Sequence, residues 1–173
     1  MTALTSKESP SVVAHYTSPT LIIPELQSVT AADAIGELTE KLYRANRLVD
    51  IAAFLEAAMA REHLSPTSCA PCWALPHARL RDLPQLSFAF GRCSRPLSWI
   101  GDKTIRVKAV WLFAVPELET KPYLNLIASV ARFSQNAPVL DQLMQAPNAS
   151  TMYRILEQVP LRGSCARLAA SAA

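Results

Sequence analysis

The sequence predicts an α/β fold in which a mixed sheet of about four or five strands is flanked by helices, as a three-layer sandwich. Two kinds of pattern lead to this prediction. Apolar residues recur at helical spacing in several segments. Between these segments, one stretch alternates in polarity and another becomes a solid apolar run, which is typical of a strand covered by helices on both faces.

The first part of the chain predicts a tail, a short strand and two consecutive helices. Residues 1–19 are rich in Ser, Thr and Pro without a clear period, and they are interpreted as a flexible tail. A strand is expected to start at Leu21. Thr30 begins a capping-box pattern for the first helix, and Asp50 is expected to cap the second, which runs to about Glu62.

Two strands are predicted in the middle of the chain. The alternating segment 86–90 indicates a half-buried strand. A second segment alternates over 105–109 and is wholly apolar over 110–115, which indicates a central strand emerging from an exposed end. Pro116 is expected to end this strand.

Three further helices are expected before the chain ends. The first carries a predicted apolar stripe made of Tyr123, Leu124, Ile127, Ala128, Ala131 and Phe133. The second is expected to begin at Pro138, and Ser150 is expected to cap the third. Residues 20–160 are therefore interpreted as one domain, followed by a flexible C-terminal tail over 161–173.

Composition and charge exclude several classes of function. Half of the 173 residues are hydrophobic and 18% are charged, which fits a folded domain rather than a disordered chain. The sequence shows no membrane-spanning run and no signal peptide, so we expect a cytoplasmic protein without membrane insertion. The net charge of +3 is small and no glycine-rich phosphate loop is present, so neither nucleic acid nor a nucleotide cofactor is expected.

The segment from Cys69 to Leu80 concentrates the residues that could do chemistry. It is rich in proline and places His77 between Pro76 and Ala78, in what is interpreted as a stiff surface loop. Four arginines lie within or after it: Arg79, Arg81, Arg92 and Arg95. They could attract an anionic partner or phosphate, or they could be ordinary solvated side chains.

Cys69 and Cys72 form a C-x-x-C pair, which could be redox-active or could ligate zinc. A zinc site would need two more ligands, and the available side chains fit no standard zinc spacing. The conceivable ligands are His63, His77 and Cys93. Without an export signal, these cysteines and Cys165 are expected to be free thiols, and no metal site is predicted. A thiol or metal function at Cys69 and Cys72 remains an alternative.

Four short motifs lie in order on the predicted elements. They are Ala58–Leu64, which contains an Arg-Glu pair, Ala74–Arg79 around the histidine, Ala114–Glu117 and Tyr123–Ala128. Together they resemble the mannitol/fructose-type (type 2) enzyme IIA domain of the bacterial sugar phosphotransferase system, including its stand-alone nitrogen-regulatory relatives. The resemblance covers roughly residues 21–160.

This resemblance implies that His77 accepts a phosphoryl group from a small histidine phosphocarrier protein. The protein would then pass the group to an enzyme IIB domain, or would regulate a transporter or kinase. Arg61 falls where the family places an arginine close to the active histidine, and Arg79 is the second candidate for stabilising the phosphoryl oxygens. Because no enzyme IIB domain or permease is fused to this sequence, a nitrogen or metabolic regulatory role is favoured over sugar transport.

Two positions depart from the family pattern. Tyr123 stands where the family has its second active-site histidine, and a phenol cannot become cationic near neutral pH. The glycine-rich loop ahead of the active histidine is replaced by Ser68–Cys72. These departures keep open an alternative in which the chain is a degenerate enzyme IIA-like binding module that regulates by contact without accepting phosphate. Whether the chain is a phosphoryl-transfer component therefore depends on His77.

Overall fold

The computed structural model describes residues 11–69, 72–101 and 104–161. Within these residues the chain forms six strands and five α-helices. In chain order they are β1 (Ile22–Leu26), α1 (Ala31–Arg44), α2 (Ile51–Leu64), β2 (Ser68–Cys69), β3 (Trp73–Ala74), β4 (His77–Leu80), β5 (Ser87–Ser98), β6 (Arg106–Pro116), α3 (Thr120–Phe133), α4 (Ala137–Gln145) and α5 (Ala149–Leu156). The predicted α/β class is confirmed.

The described strands belong to one mixed sheet with the order β1-β5-β6-β3-β2, and β4 also pairs with β6. The central pair, β5 and β6, is antiparallel, whereas β1 runs parallel to β5, and β3 and β4 run parallel to β6. The sheet has six strands rather than four or five because β3 and β4 are two short pieces on the same edge of β6, separated by Leu75 and Pro76. Such short pieces leave no alternation to detect in the sequence.

Helices cover both faces of the sheet, as the three-layer prediction requires. Leu112 and Ala114 of β6 belong to the core formed with α1 and α2, whereas Trp111 and Phe113 belong to the core formed with α3, α4 and α5. All four side chains are 0% exposed. Burying a large apolar side chain stabilises a fold by roughly 1.5–3 kcal/mol. The prediction that β6 is a central strand covered on both faces is confirmed.

The two predicted helix starts on the first face are confirmed. Asp33 N donates to Thr30 Oγ1 at 3.1 Å, and Thr30 N donates to the Asp33 carboxylate at 3.2 Å, which completes a capping box. The amides of Ala52 and Ala53 donate to Asp50 Oδ1 at 2.9 and 3.0 Å. The second cap fixes where α2 begins, and the last turn of α2 carries Arg61.

The strand prediction for 86–90 is wrong in its burial. Ser87 and Ala89, which were expected to face solvent, are 1% and 0% exposed. The reason is that α1 packs against β5 and covers the face to which these small residues point. Small side chains are what close packing of a helix against a sheet requires, and in the sequence they look the same as small solvent-facing residues.

Two details of the later helices also differ from prediction. In α3, Leu124 is 56% exposed, whereas Leu126 and Val130 are fully buried, so the buried stripe is rotated from the one expected. The last helix is capped by Asn148 rather than Ser150, because Thr151 N donates to Asn148 Oδ1 at 2.9 Å.

The predicted tail over 1–19 is wrong for its second half. Val13–Tyr16 forms a 3₁₀ turn, and Val13 is 1% exposed. The amide of Val13 donates to the carbonyl of Val159 at 2.9 Å, which fastens this segment to the end of the domain. Leu161 is buried as well, so the packed domain extends beyond both predicted boundaries.

Some predictions concern residues outside the part of the chain that the structure describes. These are the flexible ends over 1–10 and 162–173, the state of Cys165, and the contribution of Pro71 to the loop before His77. Among the described helices, none combines the length and the apolar character needed to cross a membrane.

Candidate functional site

His77 is the first residue of β4, on the edge of β6. The sequence predicted a loop here. The structure instead pairs His77 with Phe113 in a parallel register, and Phe113 N donates to the carbonyl of Pro76 at 3.0 Å. The proline ring and this backbone ladder fix the direction in which the histidine leaves the sheet. His77 is half-buried.

Tyr123 lies beside His77. It sits in the first turn of α3, is 6% exposed, and its ring centroid is 5.6 Å from that of His77. Burial raises the pKa of Tyr123 to about 12, although the charges of Arg79 and Arg61 act in the opposite direction. The phenol is therefore neutral near neutral pH and can donate one hydrogen bond without bearing positive charge.

Arg79 lies on the same side of β4 as His77, because side chains alternate along a strand. Its Cζ is 5.8 Å from the centroid of the Tyr123 ring, and its Nη2 donates to Thr120 Oγ1 at 3.2 Å. Stacking of a cation on an aromatic ring at an exposed site contributes about 0.5–1 kcal/mol. Arg79 is thus held over Tyr123 while its side chain stays exposed.

Arg61 approaches the site from the last turn of α2. Its Nη1 donates to the carbonyl of Ser65 at 2.6 Å, so the guanidinium also satisfies a carbonyl at the helix end. The side chain is partly exposed, and its charge acts on both His77 and Tyr123. The structure therefore brings together the four residues that the sequence selected.

The pKa of His77 is lowered mainly by burial, and the positive charge of Arg61 lowers it further. The Leu75 carbonyl and the negative charge of Glu62 oppose this decrease, and Arg79 adds a smaller lowering. His77 Nδ1 lies 3.5 Å from the Leu75 carbonyl oxygen. A neutral imidazole that carries its proton on Nδ1 can donate to this oxygen, and its Nε2 then has a free lone pair.

A buried carboxylate that sequence reasoning passed over supports the loop before His77. Glu62 is 0% exposed and accepts hydrogen bonds from Trp99 Nε1 at 2.6 Å, Thr67 N at 2.6 Å and Thr67 Oγ1 at 2.8 Å. The same Thr67 hydroxyl accepts from Leu75 N at 3.1 Å. Glu62 therefore holds Leu75 through Thr67, and Leu75 contacts His77.

The sequence contained a signal for Glu62. It follows Phe54 and Ala58 at intervals of four residues, so it falls on the buried face of α2. A carboxylate on such a face must accept hydrogen bonds from the interior, because an unpaired buried charge is costly. The Arg-Glu pair was recognised as a motif, but Glu62 was given no role.

The other candidate arginines do not join the site. Arg92 donates three hydrogen bonds to backbone carbonyls and so ties β5 to its neighbours. Those carbonyls belong to Pro24, Met144 and Ala146. Arg81 pairs with Glu117 at 3.3 Å on the surface, and Arg95 is exposed farther along β5. Of the four arginines near the histidine in sequence, Arg79 is the one that affects its pKa.

The zinc alternative finds no support in the described part of the chain. Among residues 11–69, 72–101 and 104–161, no three His, Cys, Asp or Glu side chains lie close enough to hold a metal ion. Cys69, Cys72 and Cys93 are free thiols in this structure.

Comparison with known proteins identifies a family that matches most of the chain. Residues 15–159 match the family described as phosphoenolpyruvate-dependent sugar phosphotransferase system, EIIA 2. The chain belongs to this family. The match includes every residue of the site, and it confirms the resemblance seen in the four motifs.

Two relatives illustrate the range of proteins that have similar sequences. The 2-O-alpha-mannosyl-D-glycerate-specific EIIABC component of Escherichia coli is 30% identical over 157 residues, which cover 84% of this chain. Those residues cover 22% of the EIIABC component, so the chain spans about a fifth of that relative's length. A nitrogen regulatory protein of Pseudomonas aeruginosa is 29% identical over 110 residues, or 64% of this chain and 71% of that protein.

Solved EIIA structures share the fold. The nitrogen regulatory protein IIA-Ntr from Neisseria meningitidis superposes with a TM-score of 0.76 at 23% identity, covering 83% of this chain and 98% of that one. IIA mannitol from Escherichia coli gives a TM-score of 0.70 at 17% identity, covering 81% and 98%. That IIA mannitol has also been solved in complex with phosphorylated enzyme IIB mannitol. The predicted enzyme IIA-type fold is confirmed.

The charge environment of His77 leads to a titration experiment. In wild-type protein, His77 is expected to titrate at a lower pH than a histidine in an unstructured peptide, because burial and Arg61 disfavour the imidazolium. Arg61→Gln should raise the pKa of His77, and Arg79→Gln should raise it by less. The ring C–H signals of His77 in NMR spectra recorded against pH measure all three values.

The control for this titration is Arg154→Gln, which removes an exposed charge on α5. This variant should have the same His77 pKa as wild type. An unchanged pKa in Arg61→Gln would show that this guanidinium does not act on His77.

Proposed function

We propose that this chain is a phosphocarrier of the phosphotransferase system with a regulatory output, and that His77 accepts the phosphoryl group from a histidine phosphocarrier protein. The observation that carries the proposal is the setting of His77. Its imidazole is half-buried beside Tyr123, and its pKa is lowered by burial, Arg61 and Arg79. A neutral imidazole next to two cations can act as a nucleophile toward a phosphoryl group.

In the proposed transfer, the lone pair on Nε2 of His77 attacks phosphorus while the bond between phosphorus and the donor's imidazole nitrogen breaks. The proton on Nδ1 stays in place, and the Leu75 carbonyl stabilises the positive charge that develops on the ring. Arg61 and Arg79 offset the negative charge on the phosphoryl oxygens, and the Tyr123 hydroxyl can donate to one of them.

The regulatory part of the proposal rests on the relatives. A nitrogen regulatory protein aligns over 71% of its length, and a second one shares the fold over 98% of its own. The downstream partner in this proposal is a transporter or kinase that distinguishes the phosphorylated from the free protein. An enzyme IIB domain that takes the group onward is the alternative partner.

The decisive experiment is phosphorylation in vitro. The protein is incubated with phosphoenolpyruvate and the general phosphotransferase proteins, and intact mass is then measured with and without acid treatment. Wild type should gain one acid-labile phosphoryl group, and His77→Ala should gain none. His63→Ala is the matched control, because His63 is an exposed histidine on the neighbouring helix α2, and this variant should behave as wild type.

Two results would contradict the proposal. If wild type gains no phosphoryl group while a competent enzyme IIA does, the chain is not a phosphocarrier. If His77→Ala is still phosphorylated, another residue is the acceptor.

A second candidate function is favoured by Tyr123. A neutral phenol with a pKa of about 12 cannot supply the cationic partner that a second histidine could become. On this hypothesis the chain is a binding module that regulates its partner by contact alone. An absent phosphoryl group, together with retained binding of a transporter or kinase partner, would establish this function instead.

A further inference from the structure

The two cysteines of the C-x-x-C pair close a tight turn beside the candidate site. β2 and β3 form a short antiparallel hairpin in which Cys69 pairs with Trp73 and Ser68 pairs with Ala74. At its end, Cys72 N donates to the carbonyl of Cys69 at 2.9 Å. In a turn closed by such a bond, the first and fourth Cα atoms lie within about 7 Å. Disulfides form across Cα separations of about 4.4–6.8 Å.

Cys72 occupies a backbone conformation that normally selects glycine. Its φ is +82°, which lies in the left-handed region, and its amide is the group that donates to the carbonyl of Cys69. Glycine adopts this conformation freely, whereas a side chain is strained there. The chain therefore keeps a thiol at a position where the backbone conformation favours glycine.

We infer that Cys69 and Cys72 are a reversible dithiol–disulfide pair, oxidised by low-molecular-weight disulfides such as oxidised glutathione. This inference does not depend on phosphoryl transfer. It assigns a modification site to the turn, and it explains why a cysteine rather than glycine occupies the left-handed backbone conformation at position 72. The third described cysteine, Cys93, lies on β5 and has no cysteine partner in this turn.

The reaction proceeds by two thiol–disulfide exchanges. The Cys72 thiolate attacks one sulfur of oxidised glutathione, forming a mixed disulfide and releasing one glutathione thiolate. The Cys69 thiolate then attacks Sγ of Cys72 and releases the second glutathione thiolate. Two electrons pass from the cysteines to glutathione, and the two thiol protons end on the released thiols. Burial raises the pKa of the Cys69 thiol, so the second step, which needs the Cys69 thiolate, should become faster as the pH rises.

The turn is connected to His77 through the hairpin. Beyond the pair Ser68–Ala74, the next link between the two arms is the hydrogen bond from Leu75 N to Thr67 Oγ1. A disulfide across the turn would fix the pairing of the two strands. It would therefore affect the hydrogen bond between Leu75 N and Thr67 Oγ1. The Leu75 carbonyl lies 3.5 Å from His77 Nδ1, so oxidation should change the surroundings of the His77 ring.

The test uses the full chain in buffers of reduced and oxidised glutathione. Oxidised wild type should lose two alkylatable thiols and two hydrogen atoms of mass relative to reduced protein, and peptide mapping should link Cys69 to Cys72. Cys69→Ser and Cys72→Gly should each prevent this linkage. Cys72→Gly also removes the strained side chain, so it keeps the hairpin folded. Cys93→Ser is the matched control and should form the linkage as wild type does.

Three results would overturn the site. They are a wild type that stays fully reduced in excess oxidised glutathione, a mixed disulfide that persists on one cysteine, and a disulfide that involves Cys93 or Cys165. The effect of oxidation on His77 is measured from the NMR signals of its ring. These signals should shift on oxidation and return after reduction with dithiothreitol. Signals that do not move when the disulfide is present would overturn that link, whatever the outcome of the phosphorylation experiment.

Discussion

Replacing Glu62 with alanine is expected to lower the free energy of unfolding by about 3 kcal/mol or more. The carboxylate is completely buried, and its removal leaves Trp99 Nε1 and the amide and hydroxyl of Thr67 without their acceptor. Each unsatisfied buried donor costs about 1–3 kcal/mol. Urea unfolding followed by circular dichroism measures the change, with the slope of the transition checked against wild type.

The matched control is Glu56→Ala, because Glu56 is an exposed glutamate on the same helix. Its replacement should change the free energy of unfolding by no more than about 0.5 kcal/mol. Thr67→Val should give an intermediate loss, since it removes one donor to Glu62 and the acceptor of Leu75 N. If Glu62→Ala proves as stable as Glu56→Ala, the network does not hold the hairpin.

The fold could be predicted where local pattern and global packing agree. The apolar run of β6 needs two helical layers to cover it, and periodic segments predict helices for both layers. The caps at Thr30 and Asp50 mark the helices of the first layer. The prediction was wrong where a residue's environment depends on a distant element. Ser87 is buried on β5, a strand against which α1 packs, and no feature of its own segment reveals that helix.

The candidate site shows the same division. His77, Arg79, Arg61 and Tyr123 were selected from motifs whose order along the chain could be read directly. The Glu62 network was missed because Trp99 is 37 residues away and lies beyond the hairpin, so no spacing joins the two. The left-handed backbone of Cys72 was missed for a related reason: a positive φ at a residue other than glycine contradicts the local propensity that sequence reasoning uses.

Arg61→Gln is expected to slow phosphorylation of His77 by about 100-fold, on the proposal that this guanidinium stabilises the transferred group. Glutamine can still donate a hydrogen bond, but it lacks the positive charge that offsets the negative charge of the phosphoryl oxygens. The loss of Arg61 also raises the pKa of His77, so the rates should be compared at about pH 8, where the imidazole is neutral in both proteins. Single-turnover transfer from the phosphorylated phosphocarrier protein, followed by intact mass, measures the rate.

Two further variants show whether the transfer rate depends on the positive charge of Arg61 or on the shape of its guanidinium. Arg61→Lys keeps a cation and should preserve the lowered pKa of His77, yet its single ammonium cannot match the fork of a guanidinium, so we expect an intermediate rate. Arg154→Gln changes an exposed arginine on α5, outside the site, and should transfer at the wild-type rate. Because Arg61 is partly exposed, its loss should affect stability far less than the loss of Glu62 does. A wild-type rate in Arg61→Gln at pH 8 would leave Arg79 and Tyr123 as the groups that stabilise the phosphoryl oxygens.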